Sequence, residues 1–133
     1  MLSAGKNNKP VLAADTAVII DEQILGKPVD DGDARNMLKR LSGKTHQVMT
    51  AVALASSTQL LTDLSVSEVR FAKLSEAEID WYIQTGEGRD KAGSYAVQGL
   101  GALFIDQIQG SYSGIMGLPI RETGQLLMQL KSQ

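Results

Sequence analysis

The chain has 133 residues, 43% of them hydrophobic and 21% charged, and a formal net charge of -2 from 13 basic and 15 acidic side chains. That is the make-up of one ordinary globular domain, without the basic surplus of a chain whose main partner is nucleic acid. The absence of cysteine excludes disulfides, thiolate zinc sites and a cysteine nucleophile, and His46, the single histidine, is the only imidazole a Ser-His-Asp hydrolase could use.

Met1 to Pro10 is polar and has no apolar signal-peptide core, and no apolar run is long enough to span a bilayer. The expected setting is the cytoplasm, with no membrane partner. Residues 1–10 are expected to form a flexible N-terminus and 11–133 a single domain. Val11 to Ile20 reads as a buried strand interrupted by one carboxylate, Asp15. Asp21-Glu22-Gln23 reads as a turn, Ile24-Leu25 as a short return strand, and Gly26-Lys27-Pro28 as its end. Asp30 or Asp31 can cap a helix running through Leu41, with Ala34, Met37, Leu38 and Leu41 on one face and Gly43 as its stop.

Thr45 to Ala55 and Gln59 to about Ala72 are rich in β-branched and alternating apolar residues, and the short Ser56-Ser57-Thr58 link predicts an antiparallel pair. Ser75-Glu76-Ala77-Glu78 is a capping box opening a helix that ends at Thr85-Gly86. The glycine-rich run Lys91 to Gly101 is expected as a loop, Ala102 to Ile108 as a strand, and Arg121 to Lys131 as a helix burying Leu126, Leu127 and Leu130. Strands alternating with helices, with at least one hairpin, give a mixed twisted sheet with flanking helices, an α/β layer.

Three pieces carry chemistry. Asp15, in an apolar run, reads as a metal-binding or water-activating carboxylate, or else as a solvated residue at a strand end. Lys27, held extended by Pro28, reads as a point charge for phosphate or as a surface lysine, and Lys91 has the same two readings. The Gly93 to Gly101 segment reads as backbone that approaches a ligand closely, or as a turn-rich connector. Gln98 within it offers a donor and an acceptor side by side, matching the N3–H and O4 edge of uracil or thymine. No P-loop pattern occurs, and Gly110-Ser111-Tyr112-Ser113-Gly114 has tyrosine where a nucleophile elbow needs serine. His46 is expected to be structural, and Trp81-Tyr82 to be packing.

Taken together and in order, Ala13-Ala14-Asp15-Thr16-Ala17-Val18, Gly26-Lys27-Pro28, Leu38 through Leu41-Ser42-Gly43, Thr45-His46-Gln47-Val48-Met49-Thr50, Asp90-Lys91-Ala92-Gly93-Ser94-Tyr95-Ala96-Val97-Gln98-Gly99, and Gly110-Ser111-Tyr112 with Gly117-Leu118-Pro119 resemble the Maf family. The resemblance covers nearly everything from Val11 onward and implies a Maf/ITPase-like fold. It implies a nucleoside triphosphate pyrophosphatase of the dTTP/UTP branch, using magnesium or manganese, with a role in nucleotide metabolism and septum formation. It implies Asp15 as the proton acceptor, Lys27 on phosphate, and Thr16 and Gln98 as substrate-binding specificity positions; no metal ligand is assigned, and a homodimer is expected from the apolar surface left where the family's first strand and helix would pack. Family members begin with a strand, a Ser-x-Ser-Pro-Arg-Arg motif and a helix that do not occur in this sequence. The expected form is therefore N-terminally shortened, and the alternative function is a non-catalytic nucleotide-binding or cell-division interaction protein.

Overall fold

A computed structural model describes residues 9–131. The flexible N-terminus expected over residues 1–10 therefore lies, but for its last two residues, outside the described residues. The α/β layer is built on a five-stranded sheet in the order β2-β1-β3-β4-β5, with β1 at Val11–Ile20, β2 at Gln23–Leu25, β3 at Thr45–Ala55, β4 at Leu60–Phe71 and β5 at Ile105–Gln109. Each neighbouring pair is antiparallel. The hairpin of β3 and β4 is the longest pairing, from Thr45 opposite Arg70 to Ala55 opposite Leu60.

Four α-helices flank the sheet: α1 at Asp31–Leu41, α2 at Glu76–Thr85, α3 at Tyr112–Ile115 and α4 at Ile120–Lys131. Asp30 caps α1, accepting the Asp33 N–H at 2.7 Å. The capping box of α2 is complete: Ser75 Oγ accepts from Glu78 N at 3.1 Å and Glu78 Oε1 accepts from Ser75 N at 3.0 Å. Gly86, with φ 72°, takes the left-handed turn that ends α2.

The period of two along β3 and β4 sends alternate side chains to opposite faces. One face, carrying His46, Val48, Thr50, Val52 and Leu54 from β3 and Ser65, Ser67, Val69 and Phe71 from β4, is buried under the helices. The core joins Val18 and Ile20 of β1 to Leu38 and Leu41 of α1, Ile79 and Tyr82 of α2, and Phe71, Tyr95 and Phe104. The other face leaves Leu60, Leu64 and Val66 exposed.

Three expectations are corrected here. Leu127 is 42% exposed, because the face of α4 that meets the sheet carries Leu126 and Leu130. The strand expected from Ala102 begins only at Ile105; Leu100–Phe104 is a 3-10 turn, since Leu100 and Gly101 point their N–H groups at the Glu87 carboxylate and not at a neighbouring strand. Trp81, expected to pack, is 43% exposed, while its neighbour Tyr82 is buried.

Candidate active site

The short return strand creates the site. β2 pairs only with Val18, Ile19 and Ile20, so along the first part of β1 one backbone edge has no strand partner among the described residues. A cavity of about 390 Å³ lies along that edge, and Ala14, Asp15 and Thr16 all line it. Consecutive residues can do so because the cavity follows the edge and is reachable from both faces of the strand. Gly26 and Lys27, just after β2, close one side, and Asp90, Lys91 and Ala92 another.

Asp15, Thr16 and Lys27, singled out from the sequence, thus meet in one cavity, and Lys91 joins them. Gln98 does not line it: its side chain is exposed, and the neighbouring Val97 reaches the wall instead. Asp15 is exposed, the solvated of its two expected settings. Asp90 was missed by sequence reasoning, although its place beside Lys91 was a usable signal. The cavity therefore holds two carboxylates, Asp15 and Asp90, and two ammonium groups, Lys27 and Lys91. Neither lysine is tied up in an ion pair with a carboxylate within 4 Å among the described residues.

The glycine-rich segment forms the opposite wall, and its glycines answer to protein neighbours. Glu87 receives the Leu100 and Gly101 N–H groups at 2.9 and 3.0 Å, one on each carboxylate oxygen. A side chain at Gly99 would collide with that carboxylate. Burial works to raise the Glu87 pKa, but the Tyr82 hydroxyl, these two N–H groups and Lys91 together hold it below the ordinary range. Tyr82 Oη accepts the Ala96 N–H at 3.0 Å, and burial pushes its own ionisation up. Gly93, with φ 72°, packs onto Val18, where an added Cβ would come within 3.1 Å.

Tyr95, another wall residue, shares a 2.7 Å hydrogen bond with His46 Nε2. The His46 ring lies edge-on to Phe71, 5.1 Å between centroids at 86°. Burial lowers the His46 pKa to about 4, so the imidazole is neutral at physiological pH. His46 is structural, as expected, and nothing puts it in reach of the cavity as a base.

The remaining wall is α3. Ser111 Oγ caps it by accepting the Gly114 N–H at 2.9 Å. Ser67 on β4 accepts the Ser111 N–H at 2.8 Å, fixing the helix to the sheet. Gly114 sits so close to β4 that a Cβ there would lie 2.5 Å from Ser65 Oγ. Its carbonyl accepts the Thr50 hydroxyl at 2.5 Å, and Thr50 Oγ1 lies 2.9 Å from Thr16 Oγ1. The Gly110 to Gly114 run is thus a docking motif, which accounts for serine and glycine there without a nucleophile.

No group of three or more His, Cys, Asp or Glu is placed to hold a metal among the described residues. Magnesium bound with nucleotides needs only one or two carboxylates, the remaining ligands being water and phosphate oxygens. Asp15 and Asp90 are the two carboxylates that line the cavity. No helix among the described residues is long and apolar enough to cross a membrane.

The architecture is an antiparallel sheet with one under-paired edge, flanked by helices and carrying a cavity lined by two acidic and two basic side chains. The sequence matches the family described as Maf-like protein over residues 2–130, and the chain belongs to the Maf family. It is 52% identical over 125 residues to the dTTP/UTP pyrophosphatase of Pasteurella multocida (strain Pm70), covering 94% of this chain and 62% of that protein. It is 51% identical over 128 residues to the dTTP/UTP pyrophosphatase of Shewanella sp. (strain MR-7), covering 96% and 66%. The protein of the same name from Nitrosomonas europaea is 57% identical over 118 residues, 89% of this chain and 57% of that one. The chain thus spans 57% to 66% of the length of these relatives.

Proposed function

We propose that this chain carries the active site of a nucleoside triphosphate pyrophosphatase acting on dTTP and UTP, releasing the monophosphate and pyrophosphate. The observation that carries the reading is the meeting of Asp15, Lys27, Asp90 and Lys91 in one cavity from three separate segments. The shared name of the relatives supports the substrate class.

In this reading Lys27 and Lys91 bind the triphosphate as point charges and neutralise charge that builds up on the leaving pyrophosphate. Asp15 orients a water for attack on the α-phosphorus and accepts its proton as the new P–O bond forms and the α–β bridge bond breaks. The exposure of Asp15 suits that role, since the attacking water must reach it. A magnesium or manganese ion, held by Asp15 and Asp90 with phosphate oxygens, would supply further charge neutralisation. Thr16 and Gln98 contact the nucleoside, Gln98 turning inward from its exposed position on the rim. The open apolar face with Leu60, Leu64 and Val66 supports a homodimer.

The experiment is pyrophosphate release from dTTP, UTP and 7-methyl-GTP with each metal. Asp15→Asn is expected to lower kcat at least about 100-fold, roughly 2.7 kcal/mol of transition-state stabilisation, with the melting temperature nearly unchanged. Full turnover in that variant would remove Asp15 from the chemistry.

A further inference from the structure

The hydrogens of two threonines give the cavity a fixed polarity. Thr50 is fully buried and its hydroxyl donates to the Gly114 carbonyl at 2.5 Å. That carbonyl also accepts the Gly117 N–H at 3.1 Å, and a carbonyl oxygen has no proton to give. Thr50 has one hydroxyl proton, and it is committed. The hydrogen in the 2.9 Å bond between Thr16 Oγ1 and Thr50 Oγ1 must then belong to Thr16. Thr16 lines the cavity, and with its proton turned to Thr50 it shows the cavity only lone pairs.

From this we infer that Thr50 is a positioning residue that makes Thr16 an obligate hydrogen-bond acceptor, so that the ligand group meeting Thr16 is a nucleoside donor and not a phosphate oxygen. A phosphate oxygen there would set lone pair against lone pair, and Lys27 and Lys91 already supply donors for phosphate. The matching obligate donor on a pyrimidine nucleotide is the imide N–H of uracil or thymine, since a sugar hydroxyl accepts as readily as it donates. Cytosine carries an unprotonated nitrogen where uracil carries the imide N–H, and the relay would reject it. This rests on the nucleotide reading above and extends it to a residue that need not touch the ligand.

The test uses binding as well as turnover. Dissociation constants for UMP and CMP are measured by calorimetry on the full chain, on Thr50→Ser, which keeps the hydroxyl, and on Thr50→Val, which keeps the shape and removes it. Pyrophosphate release from UTP, CTP and dTTP is followed in parallel. The parent and Thr50→Ser are expected to prefer UMP over CMP at least tenfold. Thr50→Val should lose fivefold or more of that preference, chiefly by gaining affinity for CMP, because Thr16 becomes free to donate. Equal binding of UMP and CMP by the parent would show that Thr16 does not meet the imide N–H and would overturn the inference. A Thr50→Val protein that is folded by circular dichroism and unchanged in both comparisons overturns the inference, as does a Thr50→Ser protein that behaves like Thr50→Val. A parent that discriminates UMP from CMP yet releases no pyrophosphate would refute the pyrophosphatase reading and leave the relay standing.

Discussion

The two halves of β1 have nearly the same composition and opposite fates. Val18 and Ile20 are 3% exposed and sit in the main core under α1 and α2. Leu12, Ala13, Ala14 and Asp15 are exposed, and the cavity is lined by the last two of them. β2 pairs with the first of these halves and stops short of the second. A strand's apolar run therefore reports that it pairs; what covers it is decided by other segments. The contrast also separates the two ends of one strand, of which the anchored end sits in the core and the open end lines the candidate site.

The comparison can be broken most sharply by truncation. Ile20→Ala should cost about 3 kcal/mol, the usual loss for a buried aliphatic with a residual cavity, read by urea unfolding. Acid should act next, again at the covered end. The unfolded chain protonates His46 near 6.5, whereas the folded chain holds it neutral down to about 4. Below 6.5 the unfolded state thus binds the additional proton, and stability falls as pH drops from 6.5 to 4, by up to about 3 kcal/mol. His46→Gln should flatten that slope, measured as the urea midpoint against pH. Ser75→Ala, which removes the cap of the helix that supplies Ile79 and Tyr82 to the same core, should cost about 1 kcal/mol by the same assay. Leu12→Ala, at the open end, should change stability by less than about 0.5 kcal/mol. Equal costs for Ile20→Ala and Leu12→Ala would show that both halves are covered in solution.

Local signals carried most of the fold. Ser75 and Glu78 announce their helix through spacing alone, and Thr45 to Ala55 matches β3 residue for residue because alternation and a short link constrain a hairpin tightly. The failures came where a distant group outweighed local preference. Ala102-Leu103-Phe104 reads as strand, but Glu87 captures the N–H groups just before it and curls the chain. That Asp15, Thr16 and Lys27 belong to one candidate site was proposed from the sequence, but their meeting along an under-paired strand edge was not legible there. Thr50 could not be singled out, since its meaning depends on Thr16, 34 residues before it, and Gly114, 64 residues after it.

The carboxylate of Glu87 and the missing side chain of Gly99 occupy, in effect, one volume. A methyl group at 99 could be accommodated only by moving the Glu87 carboxylate, which would leave the exposed Leu100 N–H to water and take from the half-buried Gly101 N–H its partner. Positions 87 and 99 are therefore inherited as a unit: drift at 99 is closed while Glu87 stands, and loss of Glu87 would open it. In a random-substitution library selected for folding, changes at 99 should surface only in clones already altered at 87.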